Sequence, residues 1–239
     1  LGVLCILFKK RYILVLSGGN LGFRLKSSIL FPIILKKSFQ NISPSKFLCN
    51  IFNDYETIYL PNFIDISKYP YKKREEILPK LLWVRSLHSI YNPQMAVNVL
   101  EELLKTYPHS KLCFVGPSKD DTLVRVKKMI NEKKINDKVT IKGKMNKKDW
   151  IQLSENYDLF INTTNYDNHP ITILEAMALG LPIVSTNVGG ISYFLEHEKN
   201  AKLVKKNDVL GMVNSIISYM SNQSEALNIS ANARELVVS

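Results

Sequence analysis

Two carboxylates stand out in this sequence for what their spacing allows. Asp167 and Glu175 lie eight positions apart inside residues 162–190, NTTNYDNHPITILEAMALGLPIVSTNVGG. The stretch reads as strand end, polar loop, helix, tight turn, strand and glycine pair. Pro170 stands where a helix would open and Gly180 where it would close. The first-turn N–H groups of such a helix have no intrahelical partner and together carry about half a positive charge. That is how a phosphate is usually held without a metal, and here the amides near Pro170, Ile171 and Thr172 would face a loop of Asp167, Asn168 and His169. Glu175, four positions beyond Ile171, shares that side of the helix. A carboxylate there repels phosphate but accepts hydrogen bonds from vicinal hydroxyls, which suits a ribose just beyond the phosphate. It also fits an acid that complements the helix dipole. Asp167 fits loop and cap chemistry as well as ligand contact.

Further residues could serve the same chemistry. Gly189 and Gly190 follow a strand at 183–185, and a glycine pair lets backbone amides approach a ligand or form an anion nest. Gly18 and Gly19 follow a strand at 12–16, at the strand end where open α/β sheets bind ligands; a plain strand-to-helix turn reads the same way. Arg85 ends the strand 81–84 and suits a bidentate grip on a diphosphate, or ordinary surface exposure. The four histidines, His88, His109, His169 and His197, show no ligand spacing. His169 fits contact with a sugar hydroxyl or a solvated loop position equally. No Asp-x-Asp, GxxxxGK[ST] or GxGxxG occurs, which argues against a chelated metal, a nucleotide triphosphatase and a dinucleotide dehydrogenase.

These residues need a scaffold, and the chain predicts one. A helix is expected over 1–8 and a strand over 12–16, both buried, followed by a helix over 27–37 with Pro32 early enough to be tolerated. A strand at 41–42, a helix to residue 52 capped by Ser43 or Ser45, and a strand at 56–60 complete the first part. Residues 61–79, PNFIDISKYPYKKREEILP, break the pattern with three prolines and a charge run; they read as a linker or a basic contact surface. Beyond it, strands are expected at 81–84, 111–115, 139–141, 158–161, 183–185 and 201–204. Helices are expected at 93–107, 120–134, 147–156, 171–179, 208–220 and 225–237, with a short one near Ile191. Strands alternating with helices of this length predict an α/β protein with right-handed βαβ units and a doubly wound parallel sheet. The expected division is residues 1–66, a linker over 67–80, and a second domain over 81–239.

At 239 residues, with 46% hydrophobic and 22% charged residues, the composition is that of a globular protein. The formal charge of +11 admits nucleic acid, anionic lipid or a phosphorylated ligand as partner, or simply scattered lysines on solvated helix faces. Lysine and arginine cluster at 72–74, 127–128, 133–134 and 142–148, without the interleaved aromatics of a single-strand nucleic-acid groove, so nucleic acid is not expected. Cys5, Cys49 and Cys113 match neither a metal nor a disulfide spacing, and a cytoplasmic setting is expected. The opening LGVLCILF is cut by Lys9, Lys10 and Arg11, too short to span a bilayer and lacking the marks of a signal peptide. The first residue is Leu, and a fragment is expected.

The long motif resembles a known family. Asp167-x7-Glu175 followed by AMALGLPIVSTNVGG is similar to the E-x7-E signature of family 4 glycosyltransferases of the GT-B fold. PNFID, LLWVR, KLCFVG and VTIKG extend the likeness from about Tyr12 to the end of the chain. The resemblance implies a GT-B-like architecture: a Rossmann-type donor domain preceded by a truncated second Rossmann-type domain. It implies a nucleotide-diphosphate-sugar donor, a glycan or lipid-linked acceptor, retention at the anomeric carbon, and neither metal nor cofactor. By position Glu175 would hold the ribose, and Arg85 with the amides of residues 170–172 the diphosphate. Asp167 would meet the donor sugar with Gly189 and Gly190 nearby, and Gly143 would border the base. Three departures stand out. Asp167 replaces a glutamate; Ile90, Tyr91 and Asn92 stand where the family has a lysine, leaving Asn92 or Tyr91 in its role; and Ser17 stands where a histidine often precedes Gly18 and Gly19. Because most of an acceptor domain and a closing C-terminal helix would be missing, weak nucleotide binding and poor turnover are expected. Alternatives are a GT-B-type nucleotide-sugar epimerase and a non-catalytic basic α/β module on an anionic membrane; the transferase too could touch the inner membrane face peripherally.

Overall fold

Strands and helices alternate in a computed structural model that describes residues 1–238. Contacts divide the chain into two units. One comprises residues 1–62 with two later segments, 166–170 and 189–194; the other comprises 63–165, 171–188 and the chain from 195 onward.

In the first unit, β1 (Ile13–Val15), β2 (Gln40–Ser43) and β3 (Thr57–Tyr59) form a parallel sheet in that order. Helices α1 (Gly2–Leu7), α2 (Leu21–Ser27), α3 (Leu30–Lys37) and α4 (Lys46–Ile51) accompany it. Leu16, Phe31, Leu35, Leu48 and Phe52 make its core. Ser45 caps α4, its Oγ accepting from the Leu48 N–H.

Three expectations are corrected here. The opening helix forms but buries none of its residues. Gly2 is the close point against α3, where a Cβ would lie 2.7 Å from the Ile34 side chain, and Leu4, Leu7 and Phe8 remain exposed. The strand at 12–16 is not buried throughout either: Ile13 and Val15 are 57% and 64% exposed, and the core lies on the opposite face with Leu14. The helix expected over 27–37 begins at Leu30 and is preceded by a separate α2. Pro32 in its first turn permits that start, and the extended Ser28 accepts the Phe31 N–H on its Oγ at 3.3 Å.

The second unit follows the sequence pattern more closely. It holds β4 (Lys80–Val84), α5 (Pro93–Leu104), β5 (Lys111–Val115), α6 (Thr122–Glu132), β6 (Val139–Ile141), α7 (Lys147–Ser154) and β7 (Leu159–Asn162). Then come α8 (Ile171–Ala178), β8 (Ile183–Thr186), β9 (Lys202–Val204), α9 (Val209–Ser221) and α10 (Gln223–Val238). The sheet is parallel with order β6-β5-β4-β7-β8-β9, so the chain reverses direction across the sheet between β4 and β7. Asn92, Asn146 and Asp208 cap α5, α7 and α9 with their side chains. Leu81, Trp83, Leu112, Phe114, Leu159 and Ile161 meet the apolar faces of α5, α6 and α9 in one core. Val126 and Ile130 are buried on α6 as its periodicity requires, with Leu123 and Met129 packed beside them. The proline-rich stretch before β4 is firmly held: after a single turn at Ile66–Lys68 it buries Tyr69, Arg74 and Ile77. Among the described residues no helix is long and apolar enough to cross a membrane.

Candidate functional site

In a doubly wound sheet, ligands bind outside the carboxyl ends of the strands, at the reversal point. The second unit has a cavity of about 290 Å³ beside its strand ends. Arg85 follows β4 and Pro117 follows β5; Lys144 and Lys147 come from beyond β6, and Thr172 and Glu175 from α8. The strand ends approach closely because residue 116 is glycine. Its φ is +146°, and a Cβ would collide with the Arg85 carbonyl. The Gly116 N–H donates to the Gly143 carbonyl at 2.8 Å, tying the turn after β6 to the same edge. The Arg85 guanidinium lies 4.4 Å from the centre of the Tyr91 ring, a cation–π contact that orients it.

Glu175 is the unusual residue of the set. On α8 every residue from Ile173 to Ala178 is buried, and Glu175 itself is only 1% exposed. A buried carboxylate is costly unless paired and hydrogen-bonded. The Tyr69 hydroxyl donates to Glu175 Oε1 at 2.7 Å, and the Lys147 ammonium makes an ion pair with the same oxygen. Burial first, and then the hydrogen bond to Glu175, raise the Tyr69 pKa, so its hydroxyl keeps the proton it donates. The Lys147 side chain is half exposed, so its charge reaches the buried carboxylate from the solvent side.

The other end of α8 is anchored from the proline-rich stretch. Gly180 takes a φ of +72° past the helix, in the left-handed region that ends helices. Arg74, 3% exposed, donates to the carbonyls of Gly180 at 2.7 Å and Leu179 at 3.3 Å. Its Nε and Nη2 both donate to the Tyr157 carbonyl, at 3.1 and 3.0 Å. Burial pushes the Arg74 pKa down to about 10, with Asp158 opposing that shift. Arg234 adds a bond to the Ala178 carbonyl. Thus α8 is held at its C-terminal end by two guanidinium groups, with Glu175 fixed one turn inside.

In the first unit, the loop 166–170 is gripped by its neighbours. The Gly190 N–H donates to the Asp167 carbonyl at 2.8 Å. Gly189 has a φ of +56°, and a Cβ on either glycine would collide with the Asp167 or Asn168 carbonyl. Close backbone packing therefore accounts for this glycine pair, and the Gly190 amide is already engaged. Asn168 Nδ2 donates to the Ser17 carbonyl at 2.9 Å, and its buried Oδ1 has no partner among the described residues. Asp167 Oδ1 accepts from the Asn168 N–H at 2.9 Å. The His169 ring packs 4.6 Å from Phe194; its Nδ1 is buried without a partner among the described residues, and burial lowers its pKa. Asn62 Nδ2 donates to the His169 carbonyl at 2.8 Å, and Gly19 lies against the Tyr166 ring.

The expected site residues thus fall into sets within each unit. Arg85, Thr172 and Glu175 line the cavity of the second unit, while Ile171 and Gly143 are not in its wall. Asn92 is engaged as the α5 cap at a φ of +49°, whereas Tyr91 does line the cavity. Asp167, Asn168, His169, Pro170, Gly189, Gly190, Gly18 and Gly19 belong to the first unit. Sequence reasoning missed Tyr69, Lys144 and Lys147. The lysines were visible only as a basic cluster at 142–148, and Tyr69 carried no signal beyond its place in a proline-rich stretch. Among the described residues, no group of three or more His, Cys, Asp or Glu is placed to hold a metal ion.

A parallel α/β unit with a charged cavity beside its strand ends belongs to the doubly wound class of fold, in which ligands bind at that edge. Residues 68–236 match the model of the family "Glycosyl transferases group 1", and the chain belongs to that family. It is 23% identical over 207 residues to N-acetyl-alpha-D-glucosaminyl L-malate synthase of Bacillus anthracis, covering 85% of this chain and 52% of that protein. It is 26% identical over 115 residues to poly(ribitol-phosphate) alpha-N-acetylglucosaminyltransferase of Staphylococcus aureus, covering 48% of this chain and 23% of that one. The chain spans at most about half the length of these curated relatives. Among solved structures, Anabaena HepE in complex with UDP and glucose superposes with a TM-score of 0.86 at 16% identity, covering 99% of this chain and 69% of that one. That likeness shows the fold, which is α/β and GT-B-like.

Proposed function

We propose that this chain carries the donor-binding part of a family 4 glycosyltransferase. In this reading it moves a sugar from a nucleotide-diphosphate-sugar to a glycan or lipid-linked acceptor, with retention and without a metal. The observation that carries the reading is the cavity lined by Arg85, Lys144 and Lys147 together with the buried carboxylate of Glu175, with which Lys147 pairs, beside the first turn of α8. Cations and free helix N–H groups favour a diphosphate. A buried acceptor next to them suits ribose hydroxyls, which donate without adding charge. Lys144 and Met145, next to the Gly143 of the resemblance, then border the base, and Asp167 keeps the sugar contact that the resemblance gives it. Family membership, and a structural neighbour that holds UDP and glucose, support transfer over the epimerase and membrane-module readings.

Glu175→Gln tests this directly. The amide keeps the shape and can still accept from Tyr69, so stability should change by less than ~1 kcal/mol, the net worth of an ordinary hydrogen bond. Affinity for a nucleoside diphosphate should fall by ~1.5–3 kcal/mol, the worth of hydrogen bonds to a charged group. Titration calorimetry with UDP, GDP and ADP measures it; unchanged affinity in the variant refutes the ribose assignment.

A further inference from the structure

The cavity carries cations that the linear motif does not supply. The position where the resemblance places a lysine holds Asn92, and that side chain is occupied. Its Oδ1 accepts from the Met95 N–H at 3.3 Å, and its Nδ2 donates to Asn207 Oδ1 at 2.9 Å. Lys147, by contrast, opens α7, where the helix dipole disfavours a positive charge. Its local surroundings therefore do not explain it. Its ammonium reaches Glu175, 28 positions away, with the Trp150 ring 5.9 Å off. The Lys147 side chain is 51% exposed and that of Glu175 1%, so one partner is fixed and the other is free to move. Were Lys147 to leave, Glu175 would keep the Tyr69 hydroxyl.

We infer that Lys147 is an exchangeable counter-ion of this site: it pairs with Glu175 while the cavity is empty and with the diphosphate once a nucleotide is bound. The inference rests on the donor-site reading above and adds a cation that the empty and the filled cavity use differently. A nucleoside diphosphate esterified to a sugar carries two negative charges. Arg85 and Lys144 already stand in the cavity wall, and Lys147 adds its charge to theirs as soon as ribose hydroxyls take its place at Glu175. A flexible stem with a compact ammonium suits such a transfer, whereas a planar guanidinium would be tied to one geometry. The exchange also links the two halves of the ligand. A nucleoside alone must displace Lys147 from Glu175 and offers the ammonium nothing in return. A nucleoside diphosphate offers it a new partner, so the diphosphate adds more than its own contacts to Arg85 and α8.

The test compares Lys147→Met, Lys147→Arg and Lys148→Met in the full chain, by calorimetry with UDP, GDP and ADP and with the matching nucleosides. Lys148→Met removes the same charge one position along, outside the cavity wall. For the tightest diphosphate, Lys147→Met should weaken binding about 10- to 100-fold, as expected for loss of a charged hydrogen bond. Its affinity for the matching nucleoside should hold or improve. Lys148→Met should stay within about twofold, as for an exposed charge. Lys147→Arg keeps the charge, so it should retain part of the diphosphate affinity and reports on the site even if the Met variant folds poorly. An equal loss for nucleoside and diphosphate would make Lys147 a structural partner of Glu175 only and overturn the inference. So would unchanged diphosphate affinity in Lys147→Met. If the unaltered chain binds no nucleoside diphosphate, the donor-site reading itself falls, and this inference with it.

Discussion

Replacing Arg74 by Met should destabilise the second unit by about 3 kcal/mol, and the structure shows how that figure arises. Burial takes the guanidinium pKa from its ordinary 12.5 down to about 10. At ~1.4 kcal/mol for each tenfold, keeping the charge buried costs between about 3 and 4 kcal/mol. Against this stand three bonds of 3.1 Å or shorter, one to the Gly180 carbonyl and two to that of Tyr157. Bonds from a charged donor contribute ~1.5–3 kcal/mol each, or roughly 4.5–9 kcal/mol together. The difference centres on about 3 kcal/mol, at the lower end of the ~3–5 kcal/mol seen when one member of a buried charged pair is removed. Methionine fills the space without satisfying the carbonyls. Lysine keeps the charge but lacks the planar fork, so Arg74→Lys should recover only part of the loss. Urea unfolding followed by tryptophan fluorescence is the assay. Trp83 and Trp150, the two tryptophans, are both buried in the second unit and report on it. Because α8 carries Glu175, nucleoside diphosphate affinity should fall as well. A loss below about 1 kcal/mol would mean that desolvation cancels the hydrogen bonds, and the idea of Arg74 as the anchor of α8 would fail.

Two further predictions concern the loop 166–170 of the first unit, with Gly143 of the second unit as the comparison. Gly189→Ala should loosen the loop 166–170, since it combines a φ of +56° with a collision against the Asp167 carbonyl; Gly143→Ala, at +67° with open space around it, should cost only the ~1–2 kcal/mol of a left-handed residue. Amide exchange across residues 166–170 should accelerate in the first variant alone, and equal behaviour of the two would contradict the packing role of the pair. Burial holds the His169 pKa below its ordinary 6.5, so the folded state binds fewer protons than the unfolded one. Its contribution is therefore fully present above pH 6.5 and declines as pH falls from 6.5 toward the lowered folded value. Exchange protection of residues 166–170 should drop between pH 7.5 and pH 5 and should do so less in His169→Gln; identical pH profiles would count against it.

The two units differ in how far they could be read from the sequence, and the reason is physical. In the second unit β4, β5 and β7 are short apolar runs covered on both faces, and Asn92, Pro93, Asn146 and Asp208 mark helix starts. Local preference and tertiary packing agree there. In the first unit, apolar character predicted burial for Ile13, Val15, Leu4 and Leu7, yet these side chains are exposed. An alternation or a run shows that a face is apolar, not that something covers it. Helix α2 escaped notice because Asn20 makes no side-chain cap and no proline marks its start.

The site shows the same limit from another side. Thr172 and Glu175 were legible because helical spacing fixes which residues share a face, and Arg85 because a strand end fixes its edge. Tyr69 and Lys147 were not, since they reach Glu175 across 106 and 28 positions. Yet the helix ITILEAMA, apolar but for Thr172 and one acid, already requires that some donor or cation meet Glu175. What the sequence leaves open is which of its cations does so. Arg74 in KKREE and Lys147 in NKKD look alike along the chain. In the fold, one is buried with its hydrogen bonds on main-chain carbonyls and Asp158 4.0 Å away, and the other is half exposed beside a carboxylate. A cation whose partners are buried carbonyls cannot leave without stranding them, so Arg74 can only be structural. A cation facing solvent with a single ionic partner can exchange it for a ligand, and that makes Lys147 the one able to serve binding.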